Sequence, residues 1–130
     1  MRRGGLATAT LLSKTDGDRP YGAPRDIPTT SALAVLKPGS NPSYDADAVQ
    51  LVATSLLTPR TVLDVRPDGS STVLKTQQVP GFDADRYVEE RVWVPGRDGT
   101  RLPLDIARRV DVEPDGSNPG YLYGYGSYEV

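Results

Sequence analysis

The sequence predicts a mainly β chain, and two observations carry that prediction. Of its 130 residues, 13 are Gly and 12 are Pro. Together they make up about a fifth of the chain, against roughly 12% in an average protein. In addition, short runs rich in Val, Leu and Thr alternate with turn-forming tetrapeptides such as Pro-Asp-Gly-Ser. Gly and Pro interrupt helices and suit tight turns, whereas β-branched runs suit strands.

Residues 1–30 are expected to form an irregular or disordered N-terminal segment. Pro20, Pro24 and Pro28 stand four residues apart, a spacing that neither a regular helix nor a central strand tolerates. The start of the chain resembles a signal peptide only superficially, because its apolar part is diluted by Thr and no small-residue cleavage pattern follows it.

Three strands are predicted in the first half of the chain. The apolar content rises over residues 31–36, and the turn residues at 37–42 end that run. Residues 49–57 are the second candidate, which a Thr-Pro pair ends, and residues 61–65 are a third, compact and β-branched.

Two β-hairpins are predicted from tetrapeptides that contain Asp-Gly. The first turn, at residues 67–70, joins the third strand to a strand over residues 71–75, and its glycine suits a positive φ. The second turn, at residues 97–100, joins strands over 87–94 and 101–107. A further Pro-Asp-Gly-Ser at residues 114–117 is interpreted as another turn, because its flanks do not match those of the first copy.

Residues 79–85 are predicted to be a junction between two structural units. The pair Pro80-Gly81 interrupts the strand pattern, and Phe82 supplies one anchoring aromatic side chain. Residues 83–90 have mild helical potential. The charges at residues 89–91 are interpreted as solvated strand ends, and Trp93 as a core or sheet-packing residue.

The composition argues against several classes of function. The sequence has no His and no Cys, which removes the commonest general base, disulfides and thiolate metal sites. The 15 basic and 17 acidic residues give a net charge of -2, so no general attraction to nucleic acid or to anionic membranes is expected. No run approaches the ~20 apolar residues of a membrane-spanning helix. We therefore expect no metal, no cofactor, no nucleic-acid or membrane partner, and a cytoplasmic location.

Neither of the catalytic or nucleotide motifs near the C-terminus is complete. A nucleophile elbow around Ser127 requires Gly at the positions of Tyr125 and Glu129. The dinucleotide pattern that Gly124 and Gly126 begin also requires Gly at position 129. The residues by themselves therefore specify no reaction.

Six segments, taken in order, carry a resemblance to a known family. They are Asn-Pro-Ser-Tyr-Asp at residues 41–45, Leu-Thr-Pro-Arg-Thr-Val at 57–62, Val-Pro-Gly-Phe-Asp at 79–83, Tyr-Val-Glu-Glu-Arg-Val-Trp at 87–93, Arg-Asp-Gly-Thr-Arg-Leu-Pro at 97–103 and Leu-Tyr-Gly-Tyr-Gly-Ser-Tyr at 122–128. Together they resemble the prolyl oligopeptidase family of serine peptidases, and most of all oligopeptidase B.

The resemblance implies a two-part fold. Members of the family carry a β-propeller packed over an α/β-hydrolase domain, so the chain is expected to be a fragment that spans the passage between the two. Residues 31–78 would be the C-terminal part of the propeller, with its last blade or blades. Residues 79–85 would be the interdomain crossing, and residues 86–130 would be the first β-strands of the α/β-hydrolase peptidase domain.

The resemblance also implies two site residues. The second Tyr of the Tyr-Gly-Tyr-Gly motif, Tyr125, would donate its hydroxyl to the oxyanion of the tetrahedral intermediate. Tyr128 matches the position of an aromatic wall of the substrate pocket. The alternative that both tyrosines only pack stays open. The catalytic Ser, Asp and His of the family would lie downstream of this sequence.

The implied function is peptide hydrolysis in a full-length serine oligopeptidase, with short peptides as substrates. The 130-residue chain alone is expected to be inactive, and a second chain that supplies the missing catalytic half is a further candidate partner. The alternative is a non-catalytic, β-rich interaction module or a decayed gene product.

Overall fold

The computed structural model describes residues 2–3, 6–14 and 20–124, and this part of the chain is mostly β, as predicted. The strands are β1 (Arg2–Arg3), β2 (Leu6–Ala7), β3 (Thr10–Leu11), β4 (Arg25–Asp26), β5 (Val35–Pro38), β6 (Val49–Thr54), β7 (Thr61–Val65), β8 (Ser71–Thr76), β9 (Tyr87–Pro95) and β10 (Arg101–Arg109). One 3₁₀ turn covers Ala84–Arg86. Within the described ranges, no helix is long and apolar enough to cross a membrane.

The largest element is a four-stranded antiparallel sheet in the order β5-β6-β7-β8, in which every strand pairs with its neighbour in sequence. Its buried apolar side chains are Leu36, Leu51, Ala53 and Val65, and Val65 is only 1% exposed. Successive side chains of a strand point to opposite faces, so Leu51 and Ala53 lie on the same face. The register places Leu36 opposite Ala53. One face of the sheet therefore holds the core.

The N-terminal segment packs against this face. β1 pairs with β2, and β3 pairs with β4. Ala9 and Ile27 lie against the core, and the Ile27 amide donates to the Ala9 carbonyl over 3.1 Å. The sequence predicts an irregular or disordered segment here, and its described residues include four strands of two residues each. Pro24 and Pro28 flank β4 and keep that strand short.

Two of the predicted strands have different bounds in the structure. The first begins at Val35 rather than at residue 31, because the Ser31 hydroxyl accepts from the Leu33 amide at 3.0 Å and forms a turn. It continues to Pro38, which a terminal strand of a sheet tolerates. The second ends at Thr54, because the Ser55 hydroxyl accepts from the amides that follow it.

The other predicted elements are confirmed. The third strand has the predicted bounds of residues 61–65, and both hairpins form. The other hairpin strands, β8, β9 and β10, end one or two residues later than predicted. Only residues 84–86 of the stretch with helical potential form a turn, because β9 already begins at Tyr87.

Three turns share one construction. Asp68, Asp98 and Asp115 each accept a hydrogen bond from the backbone amide two residues later, over 2.8, 3.0 and 2.9 Å. The Gly that follows each Asp has a positive φ, for example +87° at Gly69. An Asx turn followed by a left-handed glycine forms its hydrogen bonds between residues that are adjacent in sequence. For this reason these turns can be predicted from sequence.

We predict that truncation of the core destabilises the sheet, whereas truncation at its exposed edge does not. Leu51→Ala removes a side chain that is 6% exposed and should lower the free energy of unfolding by about 2–5 kcal/mol. The matched control Leu74→Ala, on β8, removes a side chain that is 49% exposed and should change it by no more than about 0.5 kcal/mol. Urea unfolding followed by circular dichroism measures both. Equal losses would contradict this assignment of the core.

We also predict a pH dependence that originates in the first Asp-Gly turn. Hydrogen bonds from the side chain and the backbone amide of Ser70 hold the pKa of the Asp68 carboxyl below its ordinary value of 3.8. A lowered folded-state pKa means that the carboxylate stabilises the fold above pH 3.8 and loses that effect as the pH falls through the folded pKa.

The variant Asp68→Asn keeps an acceptor in the turn but cannot titrate. It should be less stable than the parent at neutral pH, and the difference should shrink on acidification, because the parent then becomes uncharged as well. Urea unfolding of both proteins at a series of pH values measures this difference. A difference that does not change with pH would contradict the prediction.

Candidate functional site

The two site residues that the sequence predicts, Tyr125 and Tyr128, lie outside the described residues. The segment that leads to them can be described up to Gly124 and belongs to no strand. Its side chains are exposed, with Tyr121 at 91% and Tyr123 at 74%. The site that can be described is therefore the region that precedes this segment in the chain. It consists of the β9–β10 hairpin and its junction with the four-stranded sheet.

The junction is a short, capped connection. The Gln77 amide donates to the Arg60 carbonyl over 2.9 Å and closes the sheet. A turn at Gly81, whose φ is +75°, then reverses the chain, and the Asp83 side chain caps the 3₁₀ turn. The ring of Phe82 stacks on the ring of Tyr87 with 5.6 Å between centroids and 22° between planes. The aromatic side chain that the sequence assigns to the junction thus packs against the first residue of β9.

Glu89 joins the hairpin to the sheet. Its Oε1 accepts hydrogen bonds from the hydroxyls of Ser31 and Ser55, the latter over 3.0 Å. Its Oε2 accepts from the backbone amide of Leu57 over 3.2 Å. All three donors belong to the loops of the four-stranded unit, and the carboxylate is partly buried among them. Hydrogen bonds to a charged acceptor contribute about 1.5–3 kcal/mol each in proteins, so this contact is a strong connection between the two units.

The two serine hydroxyls are oriented toward Glu89 by their own turns. The Ser31 oxygen accepts from the Leu33 amide, and the Ser55 oxygen accepts from the Thr58 amide over 2.9 Å. A hydroxyl has one proton to donate. Because backbone donors already occupy the oxygen, that proton is available for the carboxylate. The same side chains therefore end the strands locally and bind Glu89 across the junction.

The sequence interpretation of Glu89 as a solvated charge is wrong. Its partners lie 58, 34 and 32 residues earlier in the chain, and a single sequence contains no signal that joins them. The one available hint is the strand pattern, because Glu89 and Arg91 share a face of β9. That pattern predicts a polar face but does not identify its partner.

The polar face of the hairpin also holds an ion pair. Arg91 binds Asp105 on the opposite strand through two hydrogen bonds of 2.5 and 2.7 Å. The Arg91 side chain is 15% exposed, and the bond to Asp105 raises its pKa. A paired guanidinium and carboxylate at facing positions fix the register of two strands.

Of the two roles predicted for Trp93, core residue and sheet-packing residue, the structure excludes the first. Its side chain is 45% exposed in the described structure, and the guanidinium of Arg101 lies 5.3 Å from the ring centroid. It packs on the surface of the hairpin rather than in a core, because the described residues place no further layer over this end of the two-stranded hairpin.

A shallow groove of about 230 Å³ runs beside the Glu89 contact. Its walls are the loop of residues 54–59 on one side and Val79 and Phe82 of the junction on the other. These walls carry hydroxyls and apolar side chains and no titratable group. Across the described residues, no three His, Cys, Asp or Glu side chains come together as a metal site.

Comparisons with known proteins bear on the whole chain. No protein-family model matches it. The chain is 38% identical over 117 residues to dipeptidyl aminopeptidase BI of Pseudoxanthomonas mexicana, a match that covers 88% of the chain and 16% of that protein. It is 35% identical over 78 residues to the prolyl endopeptidase of Elizabethkingia miricola, which covers 59% of the chain and 11% of that enzyme.

A solved structure extends the similarity to three dimensions. Oligopeptidase B from Trypanosoma brucei matches with a TM-score of 0.85 at 26% identity, over 98% of this chain and 19% of that structure. The chain thus spans less than a fifth of the length of these relatives, in the part of oligopeptidase B that resembles a β-propeller. From the sequence similarity and the shared three-dimensional arrangement, we conclude that the chain belongs to the prolyl oligopeptidase family of serine peptidases.

Proposed function

We propose that the chain is the part of a serine-type oligopeptidase that connects the propeller to the peptidase domain, in a protein similar to oligopeptidase B. Residues 31–78 are the C-terminal part of the propeller, residues 79–85 the interdomain crossing, and residues 86–130 the start of the α/β-hydrolase domain. The 98% coverage in the match to oligopeptidase B carries this proposal, because it includes the sheet, the junction and the hairpin in one superposition.

The strand order supports the assignment of the four-stranded unit. Blades of a β-propeller are four-stranded antiparallel sheets in which consecutive strands pair, and the sheet of β5 to β8 has this topology. Adjacent blades cover each other's faces, and here Ala9 and Ile27 of the N-terminal segment lie on the core face. The sheet is therefore suited to stand next to a preceding blade.

The proposed activity is the hydrolysis of short peptides. Relatives of the chain are named as peptidases, and the oligopeptidase B from Trypanosoma brucei carries covalently bound antipain. In the proposed mechanism, the Tyr125 hydroxyl donates a hydrogen bond to the oxyanion of the tetrahedral intermediate, and Tyr128 lines the substrate pocket. The Ser, Asp and His that form and resolve the acyl-enzyme come from residues outside this sequence. The chemistry invokes no metal or cofactor, and we retain the cytoplasm as the proposed location.

The reading frame tests the proposal first. We expect the coding DNA to continue past the codon for Val130, or to resume after one frameshift, into a Gly-x-Ser-x-Gly motif with a later Asp and His. We further expect the purified 130-residue chain to leave peptides with Arg or Lys intact. A stop codon followed by unrelated sequence would favour the alternative, an interaction module or a decayed gene product. Hydrolysis by the chain alone, sensitive to serine-directed inhibitors, would contradict the proposal that the catalytic Ser, Asp and His lie outside this sequence.

A chimaeric peptidase tests the role of Tyr125. The chain replaces the homologous segment of dipeptidyl aminopeptidase BI, whose other residues then supply the triad. Tyr125→Phe removes one hydrogen-bond donor to the oxyanion and should lower kcat by about 10²–10³-fold with little change in KM. Tyr123→Phe removes the same hydroxyl two residues earlier and is the matched control, with kcat close to that of the parent chimaera. A chimaera without activity, or equal effects of the two substitutions, would contradict the proposed role.

A further inference from the structure

We propose that Glu89 is a positioning residue whose carboxylate holds the β9–β10 hairpin in one orientation against the four-stranded sheet. This inference rests on the proposed function, because its consequence is the placement of the segment that follows the hairpin and contains Tyr125. Glu89 acts through that placement and has no contact with a substrate in this inference.

The location of the three donors makes the contact suited to this task. Ser31 precedes β5, while Ser55 and Leu57 follow β6. Because β5 and β6 are antiparallel, with Val35 opposite Thr54, the start of one and the end of the other lie at the same end of the sheet. Glu89 thus binds two loops of the sheet at once, and contacts at two points restrict rotation more than a contact at one point does.

Two further connections, the turn at Gly81 and the stacking of Phe82 on Tyr87, do not by themselves fix the orientation of the hairpin. Three hydrogen bonds from the loops of the four-stranded unit to the strands of the hairpin end on Glu89. The covalent connection passes through the turn at Gly81, where glycine gives the backbone freedom. The stacking of Phe82 on Tyr87 lies within the junction and the first residue of β9, so it does not by itself fix the hairpin against the sheet.

The contact requires one side chain that accepts hydrogen bonds at both of its terminal atoms. The carboxylate receives three neutral donors on its two oxygens. An amide in its place could accept on one side only, because its nitrogen is a donor that would face the Leu57 amide. Alanine would remove all three hydrogen bonds and leave Ser31 and Ser55 with their backbone partners, so the local turns would persist.

Distance measurements on the full 130-residue chain test the inference. The sequence has no Cys, so Lys75→Cys on β8 and Arg97→Cys in the hairpin turn introduce two unique and exposed sites for spin labels. Pulsed electron paramagnetic resonance should give one narrow distance distribution for this labelled parent. Adding Glu89→Ala should abolish the narrow peak in favour of a broad distribution, and Ser31→Ala with Ser55→Ala should have the same effect.

Two controls separate positioning from stability. Glu90→Ala removes the neighbouring carboxylate, which lies 3.7 Å from Arg108 on the other face of the hairpin, and should leave the narrow peak unchanged. Hydrogen exchange of the β6 and β7 amides should be equally slow in all variants, because the sheet keeps its core.

Adding Glu89→Ala to the double serine variant should broaden the distribution no further, since all three side chains belong to one contact.

Several results would overturn the inference. They are a broad distribution in the labelled parent, a narrow one in Glu89→Ala, equal broadening by Glu90→Ala, or broadening that appears only together with loss of protection in β6 and β7. The measurement involves no hydrolysis. An inactive chimaera would therefore count against the proposed peptidase function without altering the distances, and an unchanged distance distribution would count against Glu89 alone.

Discussion

The structure depends on the burial of one face of a four-stranded sheet. Leu36, Leu51, Ala53 and Val65 form its core, and the alternation of side chains along each strand commits the other face to solvent or to a further layer. A core of this size provides limited stabilisation, since burial of a large apolar side chain contributes about 1.5–3 kcal/mol. The contacts that the N-terminal segment makes with the core face are therefore part of the fold rather than an appendage to it.

The hairpin has a different basis for its order. An isolated two-stranded hairpin is marginally stable in water, and β9 and β10 pair only with each other among the described strands. The Arg91–Asp105 pair fixes their register, and the Asp98 turn closes them. Neither interaction determines where the hairpin lies. The position of the hairpin is set by the junction and by Glu89, which connect it to the four-stranded sheet. The core of that sheet contains no residue of the hairpin.

This division of roles agrees with the place of the chain in its family. Its relatives are several times longer, and under the proposed function the chain spans the passage from one of their domains into the other. A connecting region of this kind needs turns that are stabilised by hydrogen bonds between nearby residues. It also needs a small number of contacts that set an angle between two units. The Asp-Gly turns serve the first need here, and the contacts of Glu89 serve the second.

The features that could be predicted from sequence are those that depend on residues close to one another in the chain. The third strand, both hairpins and the Asp-Gly turns were predictable because a turn with Asp and Gly satisfies its hydrogen bonds within a few residues. The position of the interdomain crossing stays a prediction, made from its Pro and Gly and from the resemblance to a family. The roles of Tyr125 and Tyr128 remain predictions, since both lie outside the described residues.

The features that could not be predicted from sequence depend on partners that are distant in the chain. The ends of β5 and β6 shifted because Ser31 and Ser55 form turns in apolar runs that the sequence pattern assigns to strands. Trp93 is half exposed because the layer that would cover it is not formed by the described residues. Glu89 looked like a solvated charge because its donors are 32 to 58 residues away. Proximity of that kind arises when the chain folds back on itself, and no local pattern records it.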